Sequence, residues 1–183
     1  MKSKKYYIAS LFIILFSMSC KSSKTISNNT IKEKKTFTIS GKVDQLDSYC
    51  GGARPTQEIL DEFSQPKPYP DKIFYVKEGN TNNIDGKVIA SFTTKQDGSF
   101  SFQLPKGTYS IIVAEQLHPI QGKDFANKDL KVDEICLQKW WKTPYKILDV
   151  KDQNISDLYF LFKHRCFIPY DIPCILFIGE VPA

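Results

Sequence analysis

The sequence predicts an all-β protein, a Greek-key β-sandwich of seven short strands. Apolar and polar residues alternate with a period of two over several runs of the chain, which is typical of strands with one buried face. Residues that favour turns separate these runs. Hydrophobic residues make up 42% of the 183 residues and charged residues 25%, which is ordinary for a globular protein and excludes a disordered chain or a multi-span membrane protein.

The N-terminus has the features of an export signal. Three lysines, Lys2, Lys4 and Lys5, precede the uncharged apolar run 6–16. That run is too short to cross a bilayer as a helix, but it fits the central region of a signal peptide. We therefore expect residues 1–19 to be a signal peptide.

Cys20 follows small residues directly after that run, in Ser17-Met18-Ser19-Cys20. This arrangement resembles the bacterial lipobox, in which the cysteine is acylated and becomes the new N-terminus. The family pattern has an aliphatic residue where Ser17 stands, and the same segment also suits cleavage by ordinary signal peptidase. The expectation is a lipid anchor at Cys20, with simple secretion as the alternative.

Charge is distributed unevenly along the chain. The whole chain carries a formal net charge of +5, yet residues 37–183 hold 17 basic and 19 acidic side chains. Residues 20–36 are polar and rich in lysine, as expected of a flexible tether close to an anionic membrane surface. Because the predicted domain, 37–183, is slightly acidic, no nucleic-acid partner is expected.

The strands can be placed in order. The segments Gln96-Asp97-Gly98 and Pro105-Lys106-Gly107 connect successive strands and are typical of hairpin turns. One short helix is expected over about 132–141. The predicted strands are 36–43, 72–77, 87–94, 99–104, 108–113, 145–150 and 158–163.

Two of these segments, 39–43 and 97–111, together resemble the carboxypeptidase regulatory-like domain. That family is a transthyretin-like, or prealbumin-like, sandwich, and its members are mostly non-catalytic accessory and binding modules. The resemblance implies such a sandwich here, with aromatic side chains between the sheets and a Pro-x-Gly hairpin setting the register. Two insertions, 44–71 and 115–144, and a C-terminal extension after Cys166 depart from the family pattern.

Four cysteines remain beside Cys20. An even number in an exported domain predicts two disulfides, with more than one pairing open. We favour Cys166 with Cys174, closing a proline-containing loop, and Cys50 with Cys136, joining the two insertions. The alternative is four reduced, buried thiols.

A metal site is a further alternative. His164 and Cys166 share one face if they lie on a strand, and with Cys174 and Cys136 they offer ligands suited to zinc or copper. No Cys-x-x-Cys pair supports this site, so no metal and no cofactor are expected. The sequence also lacks the Gly-x-Ser-x-Gly and His-Glu-x-x-His hydrolase motifs.

The two insertions and the C-terminal extension carry the candidate binding surface. Arg54, Trp140, Trp141 and Tyr170 have side chains of the kinds enriched in binding hot spots, and Tyr145 extends the aromatic set. A Cys50–Cys136 bridge would draw Arg54 towards the tryptophans. The competing interpretations are a turn at Arg54 and tryptophans that cap the sandwich.

These observations predict a lipid-anchored protein of the bacterial cell envelope, periplasmic or associated with the outer membrane. Its sandwich is expected to be non-catalytic, with a structural role or an envelope protein or glycan as its partner. The alternative is an exported metal-binding or redox protein, or a hydrolase, that uses the cysteine- and histidine-containing C-terminal end.

Overall fold

The computed structural model describes residues 34–125 and 127–181. The predicted signal peptide and Cys20 lie outside these residues. The described chain is an all-β sandwich with two short α-helices, which confirms the predicted fold class. Within this part of the chain, no helix has the length and apolar character needed to cross a membrane.

Among the described residues, ten strands form three sheets. All seven predicted strands are present, and three more of two or three residues lie in the insertions and the C-terminal extension. The strands are β1 (Thr36–Leu46), β2 (Lys67–Pro68), β3 (Ile73–Glu78), β4 (Val88–Thr93), β5 (Ser99–Pro105), β6 (Gly107–Val113), β7 (Leu130–Val132), β8 (Lys146–Val150), β9 (Ile155–Lys163) and β10 (Ile175–Phe177).

The two larger sheets each contain four strands. In the first, β1 pairs with β5 and β2 in antiparallel fashion and with β9 in parallel. The second has the order β4-β3-β6-β8 and is antiparallel throughout. A small third sheet joins β7 and β10. The parallel β1–β9 pair brings the ends of two strands that are far apart in sequence to one edge of the sandwich.

Both predicted hairpins are wrong, although the turns themselves exist. Gly98 adopts a φ of +77° after Asp97, and its amide donates to the carbonyl of Lys95 at 2.9 Å. However, β4 and β6 belong to the second sheet and β5 to the first, so both connections cross between sheets. Alternation reveals which face of a strand is buried but not which strand lies beside it.

In the connection from β5 to β6, the Tyr109 side chain lies so close to residue 107 that glycine is favoured there. A Cβ on Gly107 would lie 2.8 Å from the Tyr109 hydroxyl. That hydroxyl donates to the carbonyl of Pro105 at 2.9 Å, which fixes the corner.

Aromatic side chains fill the space between the two larger sheets. Phe74 is fully buried and stacks on Phe92 and Phe160, with ring centroids 4.9 and 5.5 Å away. The apolar residues at alternate positions of β5 and β6 all contact this core, and Phe102 is only half-buried at its margin. They are Phe100, Phe102, Leu104, Tyr109, Ile111 and Val113.

The helices lie in the two insertions. The predicted helix is α2 (Glu134–Lys142), which begins where the Asp133 side chain accepts from the amide of Cys136 at 3.0 Å. Helix α1 (Gln57–Phe63) was not predicted. It has a capping residue, Thr56, and two partly buried apolar residues on one face, Ile59 and Phe63, but a pattern of two turns is too short to indicate a helix by itself.

The four cysteines form two disulfides, but the favoured pairing is wrong. Cys50 is bonded to Cys166 and Cys136 to Cys174. The parallel register of β1 and β9 places Leu46 beside Lys163, so Cys50 and Cys166 follow next to each other.

Similarly, β10 pairs with β7, and the amide of Asp133 donates to the carbonyl of Cys174 at 3.0 Å. This contact brings the start of α2, and with it Cys136, to Cys174. Both disulfides are therefore determined by the pairing of strands that are far apart in the sequence.

A candidate ligand-binding cleft

A cleft of about 570 Å³ opens where the end of β9 meets the end of α2 and the loop 164–174. Trp140 and Tyr145 supply its aromatic wall, and Lys163, Arg165 and Asp171 supply its charged groups. The volume lies in the range of small-molecule sites in proteins. The cleft is therefore the candidate functional site.

The aromatic wall is held in place by the core. The Tyr145 ring stacks on Phe162, with ring centroids 4.7 Å apart and planes 13° from parallel, and its hydroxyl donates to the carbonyl of Leu161 at 3.1 Å. Trp140 packs against both hydrophobic clusters of the protein. Burial, assisted by the negative charge of Asp171, raises the pKa of Tyr145 to about 12.

A polar network fixes the helix that carries Trp140. The Asn82 side chain donates to the carbonyls of Gln116 and Trp141, both at 2.8 Å. The Gln116 side chain donates to the carbonyl of Trp140 at 2.7 Å. These amides satisfy carbonyls at the end of α2 that have no partner within the helix.

Lys77 completes this network from β3. It is 2% exposed, and its ammonium donates to the Asn82 side chain at 2.9 Å. Burial lowers the pKa of Lys77. The network thus places α2 over the outer face of the second sheet.

Asp171 is the most extensively bonded group of the cleft. Its side chain is 7% exposed and lies 2.8 Å from the Lys72 ammonium. The Tyr69 hydroxyl donates to the same carboxylate at 2.9 Å. Lys72 also pairs with Glu115 at 3.1 Å. Burial and the charge of Asp171 raise the pKa of Tyr69.

His164 connects the two loops that follow β1 and β9. Its Nδ1 lies 3.2 Å from Asp47 and its Nε2 lies 3.4 Å from Asp171. The Ser48 hydroxyl donates to the backbone carbonyl of His164 at 2.6 Å. Both ring nitrogens therefore face carboxylates, and the ring joins the two loops.

Arg165 stabilises the loop 164–174 from within. Its guanidinium donates to the backbone carbonyls of Ile172, Pro173 and Ile175, the last at 2.6 Å. In the described part of the chain, neither Arg165 nor Lys163 forms an ion pair. Burial lowers the pKa of Arg165, partly offset by Asp171, and the guanidinium stays charged at neutral pH.

The alternative metal site lacks its sulfur ligands in this structure. Cys166 and Cys174 belong to two different disulfides. Among residues 34–125 and 127–181, no group of three or more histidine, cysteine or acidic side chains could hold a metal ion. His164 instead pairs with the two aspartates.

The predicted surface residues are only partly brought together. Trp140 lines the cleft, and Tyr170 belongs to the same apolar cluster, where it packs edge-to-face on Phe125 at 5.0 Å. Trp141 lines a separate cavity of about 490 Å³. Arg54 is exposed, and the Cys50–Cys136 bridge expected to draw it in is replaced by Cys50–Cys166.

Sequence reasoning missed the charged residues of the cleft. Lys163, Arg165 and Asp171 lie at the end of β9 and in the loop 164–174, close to two cysteines. The cysteines were a usable signal, since disulfides in exported domains often fix loops that carry function.

Comparisons with known proteins identify no relatives in sequence. No protein-family model matches the chain, and no curated protein matches it.

Some solved structures are similar in general arrangement. For the N-terminal domain of the shaft pilin SpaA from Lactobacillus rhamnosus GG, the TM-score is 0.35 at 12% identity, covering 74% of this chain and 99% of that one. For the major pilin subunit of Bacillus cereus, the TM-score is 0.32 at 14% identity, covering 70% and 30%. For the Bacillus anthracis TIE protein, the TM-score is 0.33 at 13% identity, and the match covers 69% of this chain and 17% of that one.

The chain thus spans 17% and 30% of the Bacillus anthracis and Bacillus cereus proteins. TM-scores of 0.32 to 0.35 establish neither a common family nor a common function.

Proposed function

We propose that this chain is a lipid-anchored protein of the bacterial cell envelope whose sandwich binds an envelope ligand without catalysing a reaction. The observation that carries the proposal is the convergence of both disulfides on one cleft. Cys166 and Cys174 flank the loop that bears Asp171, and their partners lie in the two insertions. Disulfides of this kind form in oxidising compartments outside the cytoplasm.

The membrane anchor in this proposal is the acylated Cys20. Its support is the basic, then apolar, then small-residue order of residues 1–19. One acyl chain holds a protein only marginally, so the mature N-terminus should carry more than one. The periplasm, or the periplasmic side of the outer membrane, is the proposed location.

A binding role without catalysis agrees with the chemistry of the cleft. His164 has a carboxylate at each ring nitrogen, and the Thr143 and Tyr145 hydroxyls that line the cleft donate to backbone carbonyls rather than to an imidazole. The resemblance to carboxypeptidase regulatory-like domains supports the same role. In this proposal the cleft is the binding site: Trp140 lines it, Tyr170 lies in the apolar cluster that Trp140 packs against, and Arg54 and Trp141 lie outside.

The anchor is tested with Cys20→Ala, using Ser19→Ala as the control because it keeps a small residue before the cysteine. We expect the first variant to leave the membrane fraction or to remain unprocessed, and the second to behave as wild type. Intact mass under non-reducing conditions should show the acyl chains and two disulfides. A Cys20→Ala protein that is processed normally and stays in the membrane would contradict the anchor.

The binding role is tested by capturing purified envelope fragments on the immobilised full chain. Lys163→Glu reverses a charge in the cleft. Lys106→Glu reverses an exposed charge at the opposite end of β9, beside Asp152. We expect only the first to reduce capture. Equal capture by both variants would place binding elsewhere on the protein.

A further inference from the structure

We propose that the cleft binds a sugar that carries a carboxylate group. This inference rests on the proposed binding role and names the chemical class of the ligand. Three features of the cleft support it: a positive charge without a carboxylate partner, flat aromatic walls, and an edge of β9 at which a side chain already bonds to the backbone.

The positive charge follows from the pairing of the lining residues. The lining contains two cationic side chains, Lys163 and Arg165, and one carboxylate, Asp171. Asp171 pairs with Lys72 at 2.8 Å, an ammonium that Glu115 shares at 3.1 Å, while Lys163 and Arg165 have no carboxylate at ion-pair distance among the described residues. Arg165 is only partly exposed, and an unpaired charge out of water is unfavourable. An anionic ligand would supply the missing partner.

The walls suit a ring-shaped ligand. Trp140 and Tyr145 line the cleft together with Pro144 and Pro173, and the buried Phe162 stacks against the Tyr145 ring and supports it. Flat aromatic faces pack well against the apolar face of a pyranose ring, and their rigidity keeps the entropic cost of binding low. A space of about 570 Å³ holds a mono- or disaccharide.

The edge of β9 argues against an extended peptide. The amide of His164 donates to the carbonyl of Leu46, so Leu161, an odd number of residues away, directs its backbone groups away from β1. Its carbonyl already accepts the Tyr145 hydroxyl at 3.1 Å. A peptide that added a strand here would compete with the Tyr145 hydroxyl for this carbonyl, whereas a sugar needs no backbone pairing.

Paired sugars that differ only in the acid test the inference. N-acetylmuramic acid is compared with N-acetylglucosamine, and glucuronic acid with glucose, on the detergent-solubilised full chain. The chain has two tryptophans, and only Trp140 lines this cleft, so its fluorescence reports binding there. At least one acid should bind about tenfold more tightly than its neutral partner, and more weakly as salt is added.

Two variants assign the effect to the cleft. Lys163→Glu should weaken binding of the acid about tenfold, and Lys106→Glu should leave it unchanged, with equal melting temperatures for both. Equal affinity for acid and neutral sugars, binding of neither acid, or tighter binding of an oligoglutamate peptide would overturn the inference. If envelope fragments are still captured through Lys163 in those cases, only the ligand class fails and the proposed function stands.

Discussion

Removal of the disulfide between Cys50 and Cys166 should cost more stability than the folded structure alone suggests. The two cysteines are 116 residues apart. In the chain-entropy description, opening a loop of that length lowers the free energy of unfolding by about 5 kcal/mol. Cys50 is exposed in the folded protein, so replacing it by alanine removes little packing. Most of the cost therefore arises in the unfolded chain.

The experiment is urea unfolding of the Cys50→Ala/Cys166→Ala double variant. We expect a loss of about 5 kcal/mol, a melting temperature lower by about 10–20 °C, and a larger urea dependence because the unfolded chain becomes more expanded. Ser48→Ala is the matched control. It removes only the hydrogen bond to the carbonyl of His164 and should cost about 1 kcal/mol with an unchanged urea dependence.

Two results would refute this reasoning. A loss below about 1 kcal/mol in the double variant would mean that the unfolded chain already keeps residues 50 and 166 close together. Peptide mapping that found Cys50 bonded to Cys136 would remove the premise itself.

Three further predictions concern the core, the polar network and pH. Phe74→Ala should lower the free energy of unfolding by about 3–5 kcal/mol and the exposed Gln103→Ala by less than about 0.5 kcal/mol, so equal losses would refute the core assignment. Asn82→Ala should lower the free energy of unfolding by about 3 kcal/mol because it leaves buried hydrogen-bonding groups without a partner, whereas the exposed Asn80→Ala should change it very little. Chemical unfolding of both variants measures the difference. The pKa of Tyr145 is raised to about 12 from about 10 in the unfolded chain. The contribution of Tyr145 to the free energy of unfolding should therefore be complete below about pH 10 and decrease as the pH rises towards 12. In Tyr145→Phe the free energy of unfolding should decrease less steeply over this range, and an identical decrease would contradict the assignment.

The sequence predicted those features that depend on local pattern. Alternation in 99–113 identified the side of β5 and β6 that faces the core, including Phe100 and Ile111, because a residue's face in a strand follows from its own position. It did not reveal that the other side of β6, with Ser110 and Ile112, is buried as well. Helix α2 lies close to the predicted segment 132–141, and the structure shows a capping residue, Asp133, and a buried residue, Leu137, that stabilise it.

Features that depend on distant pairing were beyond the sequence. The Asp97-Gly98 turn has the same sequence whether it joins neighbouring strands or crosses between sheets. It crosses here because β5 pairs with β1, where Gly41 lies opposite Phe100. The charged groups of the cleft were missed for the same reason. Arg165 and Asp171 reach it only because β9 runs parallel to β1.

The disulfide between Cys50 and Cys166 also determines how the protein carries a mechanical load. Consider a pull between the N-terminal end of β1 and a ligand held in the cleft at the far end of β9. The parallel arrangement loads the hydrogen bonds between these strands in shear, so they resist together. Beyond their ends, the disulfide joins Cys50 directly to Cys166.

Tension then passes along residues 36–50 and across the sulfur bridge into the loop 164–174, through covalent bonds alone. The remaining strands of the sandwich lie outside this path. With the binding role proposed above, this path would let the protein hold a ligand under traction without loading the second sheet.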